Sequence, residues 1–262
     1  MINLKEIKKE KLLTPDRILL YGMPKVGKST FGAMAHNPIF LNIEDGIDNL
    51  TTHRIFNNND EKTYKKCVEA LRALVTQDHD FKTLVIDSAD WLERLIYKAV
   101  AQASNVKSID DIGYGKGYAD AVNYWESFLN MLDTIRHKRG MEIIIICHVD
   151  VKVFNDTNGE AYNQYAPKLH GKTAKGDSTL GLLTEWVDMI LFAKREVRTS
   201  KTIQSGKEVN VANVSEEKIK RHLYTNSMAG NFIAGNRLSM PEKMGLDYRE
   251  FDKHRNVAKG IK

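Results

Sequence analysis

The chain has 262 residues, 42% hydrophobic and 28% charged, with 39 Lys and Arg against 34 Asp and Glu for a net charge of +5. That composition excludes a disordered or fibrous chain, and the length suffices for the large core of one elaborated α/β domain. No apolar run approaches the ~20 residues needed to span a bilayer, and the two cysteines, Cys67 and Cys147, lack the spacing of a zinc site.

In chain order, Arg17–Tyr21 is a short apolar run ending in a glycine loop, and Ser29–His36 continues as a helix stopped near Asn37-Pro38. Ile39–Ile43 predicts a second strand, closed by Glu44-Asp45-Gly46. Residues 61–77 repeat apolar positions at helical spacing (Tyr64, Cys67, Val68, Leu71, Leu74, Val75). Thr83–Asp87 predicts a third strand, apolar until its carboxylate, followed by helix through Trp91, Leu95 and Val100. A glycine-punctuated loop, Ser104–Gly117, precedes a long amphipathic helix from Tyr118 to Lys138.

Glu142–Cys147 predicts strand four, ending at His148, with Cys147 as a buried core thiol. Residues 149–180 are polar, rich in Gly and Lys and without clear period, and are expected to form a long functional loop. Trp186–Ala193 predicts a fifth strand, Glu196–Val211 a hairpin around Ser205-Gly206-Lys207, and His222–Thr225 a further strand. Apolar strands alternating with helices indicate a mostly parallel sheet covered on both faces, with a C-terminal antiparallel extension. Ligands of such sheets bind beyond the carboxyl ends of the strands, which here offer Gly22, Glu44, Asp87 and His148. The expected division is an N-terminal extension at 1–14, one α/β domain at 15–250 and a basic tail at 251–262.

Gly22-Met23-Pro24-Lys25-Val26-Gly27-Lys28-Ser29 fits G-x-x-x-x-G-K-[ST] without a mismatch. Glycines let the backbone wrap phosphate, and the loop amides with the following helix end form an anion nest. Lys28 is expected to neutralise β- and γ-phosphate charge, Ser29 to bind Mg²⁺, and Thr30 to meet the α-phosphate. Asp87, ending Leu84-Val85-Ile86, matches the Walker B carboxylate of the magnesium shell. No glutamate follows Asp87, so Glu44 is the expected general base, with a solvated strand-end acid as the plainer reading. His148 is the expected γ-phosphate sensor, against a satisfied core histidine.

Glu44 after Phe40-Leu41-Asn42-Ile43, Leu84-Val85-Ile86-Asp87-Ser88 and a strand ending in a polar residue together resemble the RecA-type ATPase core. With Gly115-Lys116-Gly117-Tyr118, Tyr165-Ala166-Pro167-Lys168-Leu169 and Trp186–Phe192, the pattern is similar to phage-encoded AAA-type ATP-binding proteins related to the Sak group of single-strand annealing proteins. The resemblance spans about residues 15–250. It implies Mg-ATP hydrolysis by Lys28, Glu44 and His148, a homo-oligomer, a role in phage recombination in the host cytoplasm, and single-stranded DNA as partner. A single-strand-binding or replication protein is a further implied partner.

By the same resemblance, two loops would meet DNA: Ser104–Tyr118 and Val149–Thr179. Lys107, Lys116, Lys152, Lys168, His170, Lys172 and Lys175 would contact phosphates, while Tyr114, Phe154, Tyr162 and Tyr165 would stack on bases. Solvated surface lysines are the plainer alternative. Arg195, Arg198, Lys201 and Arg221 are candidates to complete a neighbouring subunit's site. No long N-terminal polymerisation helix and no C-terminal DNA-gathering domain of RecA type is expected from this sequence, so the resemblance does not extend to RecA-like filamentation or full strand exchange. Rival readings are a helicase loader or replication-associated ATPase acting on a protein, a non-hydrolysing nucleotide-switched module, and a small-molecule kinase.

Overall fold

The computed structural model describes residues 13–155, 159–172, 178–196, 198–204, 207–213, 220–227 and 231–261. The elements in order are β1 (Arg17–Gly22), α1 (Lys28–Ala33), β2 (Pro38–Asn42), β3 (His53–Arg54), α2 (Tyr64–Thr76), β4 (Thr83–Asp87), α3 (Ala89–Ala103) and α4 (Lys116–Arg139). There follow β5 (Glu142–Phe154), β6 (Tyr162–Pro167), α5 (Thr179–Trp186), β7 (Met189–Arg195), β8 (Arg198–Gln204), β9 (Lys207–Asn213), β10 (Arg221–Tyr224), β11 (Gly235–Asn236), β12 (Lys243–Gly245) and α6 (Tyr248–Lys259).

The main sheet runs β12-β10-β7-β1-β5-β4-β2-β3, parallel from β7 to β3 and antiparallel through β10 and β12. This is an α/β P-loop fold with a mixed, mostly parallel sheet. Strand β5 lies between β1 and β4, with Gly22 opposite His148 and Asp87 opposite Ile146 in register. Gly22, His148 and Asp87 are thereby brought together on three adjacent strands.

Alternation along the buried strands feeds two cores. On one face Leu19, Tyr21, Ile143 and Ile145 pack under Leu71 of α2, Leu92 and Ile96 of α3, Trp125 and Phe128 of α4, and Leu183 of α5. On the other, Ile18, Leu20, Ile144 and Ile146 pack under Phe31 of α1 and Tyr248 and Phe251 of α6. Each such side chain, fully buried, contributes ~1.5–3 kcal/mol against exposure. Cys67 and Cys147 are buried free thiols within the first core, and burial pushes the Cys67 thiol up to about 12.

Four expectations are corrected. The 149–180 segment is not one loop: β5 continues past His148 and pairs with β6 as a hairpin, Val149 opposite Pro167 through Phe154 opposite Tyr162. His148 is therefore not a strand end but the residue at which β5 changes partners from β1 to β6. Trp186 closes helix α5, whose cap Ser178 accepts from Gly181 N at 2.9 Å, so the following strand begins only at Met189. Finally, α6 crosses residue 250, where a tail was expected to begin, because Asp247 caps it and Phe251 is buried. Arg255 and Lys259 tie α6 to Asp16 at 3.2 and 2.6 Å beneath the sheet. The expected hairpin after Glu196 is present as β8 and β9, with Ser205 and Gly206 outside the described residues.

Candidate nucleotide site

The loop between β1 and α1 turns through left-handed backbone at Lys25 (φ 60) and Gly27 (φ 115). Gly22 has no room for a side chain, since a β-carbon there would stand 2.3 Å from the Ala193 carbonyl oxygen of β7. Helix α1 begins at Lys28 with no side-chain cap and no acidic residue in its first turn, so its amino end is left to an anion. Lys28 is buried and donates from Nζ to the carbonyls of Gly22 (2.9 Å) and Met23 (3.0 Å). Burial pulls its pKa down, and nearby Asp87 opposes that shift.

Strand β4 delivers Asp87 to α1, where Ser29 Oγ donates to its Oδ2 at 2.7 Å. Burial raises the Asp87 pKa to about 6, partly offset by the Ser29 hydrogen bond. Two hard oxygen donors at this spacing fit Mg²⁺, and a dication would reverse the burial-driven rise. Ser29 and Asp87 are the residues that could hold it.

Glu44 lies two residues beyond β2, its backbone N donating to the Asp87 carbonyl at 2.9 Å. Its carboxylate accepts from Ser88 Oγ at 3.1 Å, and His148 Nδ1 stands 3.8 Å away. Asp90, in the first turn of α3, accepts from the His148 backbone N at 3.2 Å and lies 3.0 Å from the ring Nδ1. Burial acts to raise the Asp90 pKa, but the His148 hydrogen bonds outweigh it and hold the carboxyl low. Ser88 ends the Walker B pattern without a role assigned to it, and Asp90 carries no motif signal. The one cue is two polar residues opening a helix directly after a Walker B strand.

A cavity of about 440 Å³ joins these groups. Its floor is Pro24, Lys25, Gly27, Lys28, Ser29 and Thr30, one wall is the Glu44–Leu50 stretch with Asp87 and His148, and Arg221 closes the opposite flank. Pro24, Lys25, Gly27, Lys28, Ser29, Thr30, Glu44, Asp87 and His148 thus converge, while Gly22 lies outside the lining. Met23 stays outside this lining, its side chain exposed, and Val26 is buried in the core beside α1.

The matching family model, described as an AAA domain, covers residues 14–238. The chain belongs to the AAA-domain family. An AAA domain of this kind is a nucleotide-binding, P-loop ATPase type, and its family generally hydrolyses ATP, typically with Mg²⁺. No curated protein matches the chain. Among the described residues of this AAA domain, no helix is long and apolar enough to cross a membrane.

The two expected DNA loops meet one another. Tyr118 stacks on His170 with centroids 4.3 Å apart, and the His170 backbone N donates to Glu93 of α3 at 3.2 Å. Lys107, Lys116, Lys168 and Lys172 are exposed. Tyr114 is 97% exposed between Gly113 and Gly115. Lys152 is turned inward, donating to the Leu169 carbonyl, and burial lowers its pKa. Tyr165 stacks on Phe192 at 5.5 Å with Lys194 over its ring, so its faces are already engaged. Phe154 and Tyr162 pair across the hairpin at 5.3 Å. Lys175, and the side chains of Arg198 and Lys201, lie outside the described residues.

Proposed function

We propose that this chain is a RecA-like Mg-ATPase that binds single-stranded DNA and supports phage recombination or strand annealing as an oligomer. In this reading Lys28 exchanges its loop carbonyls for β- and γ-phosphate oxygens. Ser29 and Asp87 hold Mg²⁺, which would neutralise developing phosphate charge. Glu44, oriented by Ser88, positions the attacking water and takes its proton, and His148 reports the γ-phosphate to the hairpin. The observation that carries this reading is the course of β5. One strand of 13 residues bears His148 at the cavity and Lys152 and Phe154 in the hairpin beyond it.

ATPase rate measured with and without single-stranded DNA, across protein concentration, tests it. Stimulation by DNA and a cooperative concentration dependence are expected, and an unstimulated, concentration-independent rate would sink it. Lys28→Ala should lose nucleotide binding. Glu44→Gln should bind ATP yet turn over ~10²–10⁴-fold more slowly.

A protein-directed role as a helicase loader or replication-associated ATPase has one specific observation in its favour. Val151 and Val153 are 55% and 66% exposed on one face of the hairpin, and apolar patches of that kind suit a protein partner. A salt titration separates the readings, since phosphate contact makes affinity fall steeply with salt.

A further inference from the structure

Arg195 of β7 and Arg221 of β10 are register partners on antiparallel strands at the edge of the nucleotide cavity. Residues directly opposite project from the same face, and like charges so placed destabilise a sheet. The face is identified by the next pair inward, Ala193 and Leu223, both in the core beneath α1 and α6. Both arginines therefore rise on the P-loop side.

Their surroundings differ. Arg195 donates from Nη2 to the Lys25 carbonyl, bracing the crest of the loop, while its Nε is buried without a partner. Arg221 is exposed, its carbonyl accepts from Leu246 N at 3.1 Å, and its guanidinium has no hydrogen bond or ion pair among the described residues. Its Nη1 lies 3.1 Å from where a β-carbon on Gly27 would stand, which places the guanidinium over the loop. The neighbouring carboxylate, Glu196, meets His222 at 3.1 Å. Two guanidinium groups thus share one flank of a phosphate loop.

We propose that Arg221 is a nucleotide-binding residue of its own subunit, supplying positive charge to phosphates already seated in the loop. This rests on the reading that ATP fills the cavity. The sheet order places β10 two strands from β1 on one side and β4, with Asp87, two strands away on the other. Arg221 therefore contacts the nucleotide away from the bond that is hydrolysed. It serves affinity for ATP and ADP alike, and it is not the finger of a neighbouring subunit.

Calorimetric titration of Arg221→Gln and Arg221→Lys with MgADP and MgATP tests the assignment. Loss of a charge-assisted contact predicts both nucleotides binding roughly 10- to 100-fold more weakly to the Gln variant, with Lys intermediate. Thermal melting supplies an independent sign. Removing one of two facing arginines should leave the apo protein at least as stable as wild type, while the rise in Tm on adding MgADP shrinks. Unchanged affinity for both nucleotides, or affinity restored by mixing the Gln variant with Lys28→Ala subunits that still carry Arg221, would overturn it. If wild-type protein binds neither nucleotide, the nucleotide reading and this assignment fall together. If wild type binds and Arg221→Gln binds equally well, only this assignment falls.

Discussion

Asp90 holds His148 from two directions, accepting from its backbone N at 3.2 Å and standing 3.0 Å from its ring Nδ1. A carboxylate is an acceptor only, so the proton sits on Nδ1 and the ring's orientation is set from α3. The same Nδ1 is 3.8 Å from Glu44 Oε2. Asp90→Asn should leave ATP affinity unchanged but lower turnover at saturating ATP about tenfold, with the loss concentrated in stimulation by DNA. Steady-state kinetics resolving kcat from KM checks this; a change in KM alone would exclude a positioning role for Asp90.

Asp87 and Ser29 make a prediction about metal. Wild-type protein should bind ATP more tightly with Mg²⁺ than in EDTA. Asp87→Asn should bind with similar affinity in both, because its amide cannot replace the carboxylate as a ligand. Calorimetry in the two buffers measures the difference, and a full magnesium effect in the variant would place the metal elsewhere.

Glu93, one turn along α3 from Asp90, should give the protein a pH-dependent stability. Burial raises its pKa from 4.5 to about 7, opposed by the hydrogen bond from the His170 backbone. Between those values the folded state holds a proton that the unfolded chain has released. The stabilising effect is complete below pH 4.5 and is lost as pH rises toward 7, flattening above. Urea titrations should show Glu93→Gln relieved of this fall, on the order of 3 kcal/mol across the window. Parallel curves for variant and wild type would contradict it.

Tyr114 projects into solvent, 97% exposed on left-handed backbone (φ 58). If DNA bases stack there, Tyr114→Ala should weaken single-stranded DNA binding by roughly 1–3 kcal/mol without moving Tm. Fluorescence anisotropy with a labelled oligonucleotide reads the first and calorimetry the second.

The loop Gly22–Ser29 and the carboxylate of Asp87 were legible because their spacing and strand context are local. Asp90 was not, because its partner lies 58 residues away and an acid in a helix's first turn already has a plain dipole explanation. Val149–Phe154 alternates Val, Asp, Val, Lys, Val, Phe, a strand period masked by the polar, glycine-bearing stretch after it. Trp186 was drawn into a strand because Leu180–Trp186 is apolar with little contrast between faces, although Ser178 marks a helix start. Helix α6 hides behind its charges: Tyr248, Phe251 and Arg255 form its buried face at helical spacing, between the Asp247 cap and Gly260. Strand order, which brings Arg221 to the loop, has no sequence signature.

Because β5 is continuous, a change at His148 of the kind proposed would be carried outward along its outer half as along a lever arm. From there to Phe154 the backbone reaches ~20 Å, with no helix or glycine to absorb rotation. A tilt of about 10° at the pivot, small enough to follow from a side chain changing its hydrogen bond, would sweep the hairpin tip by roughly 3–4 Å at that reach. A displacement of that size matches the spacing between stacked bases along one strand.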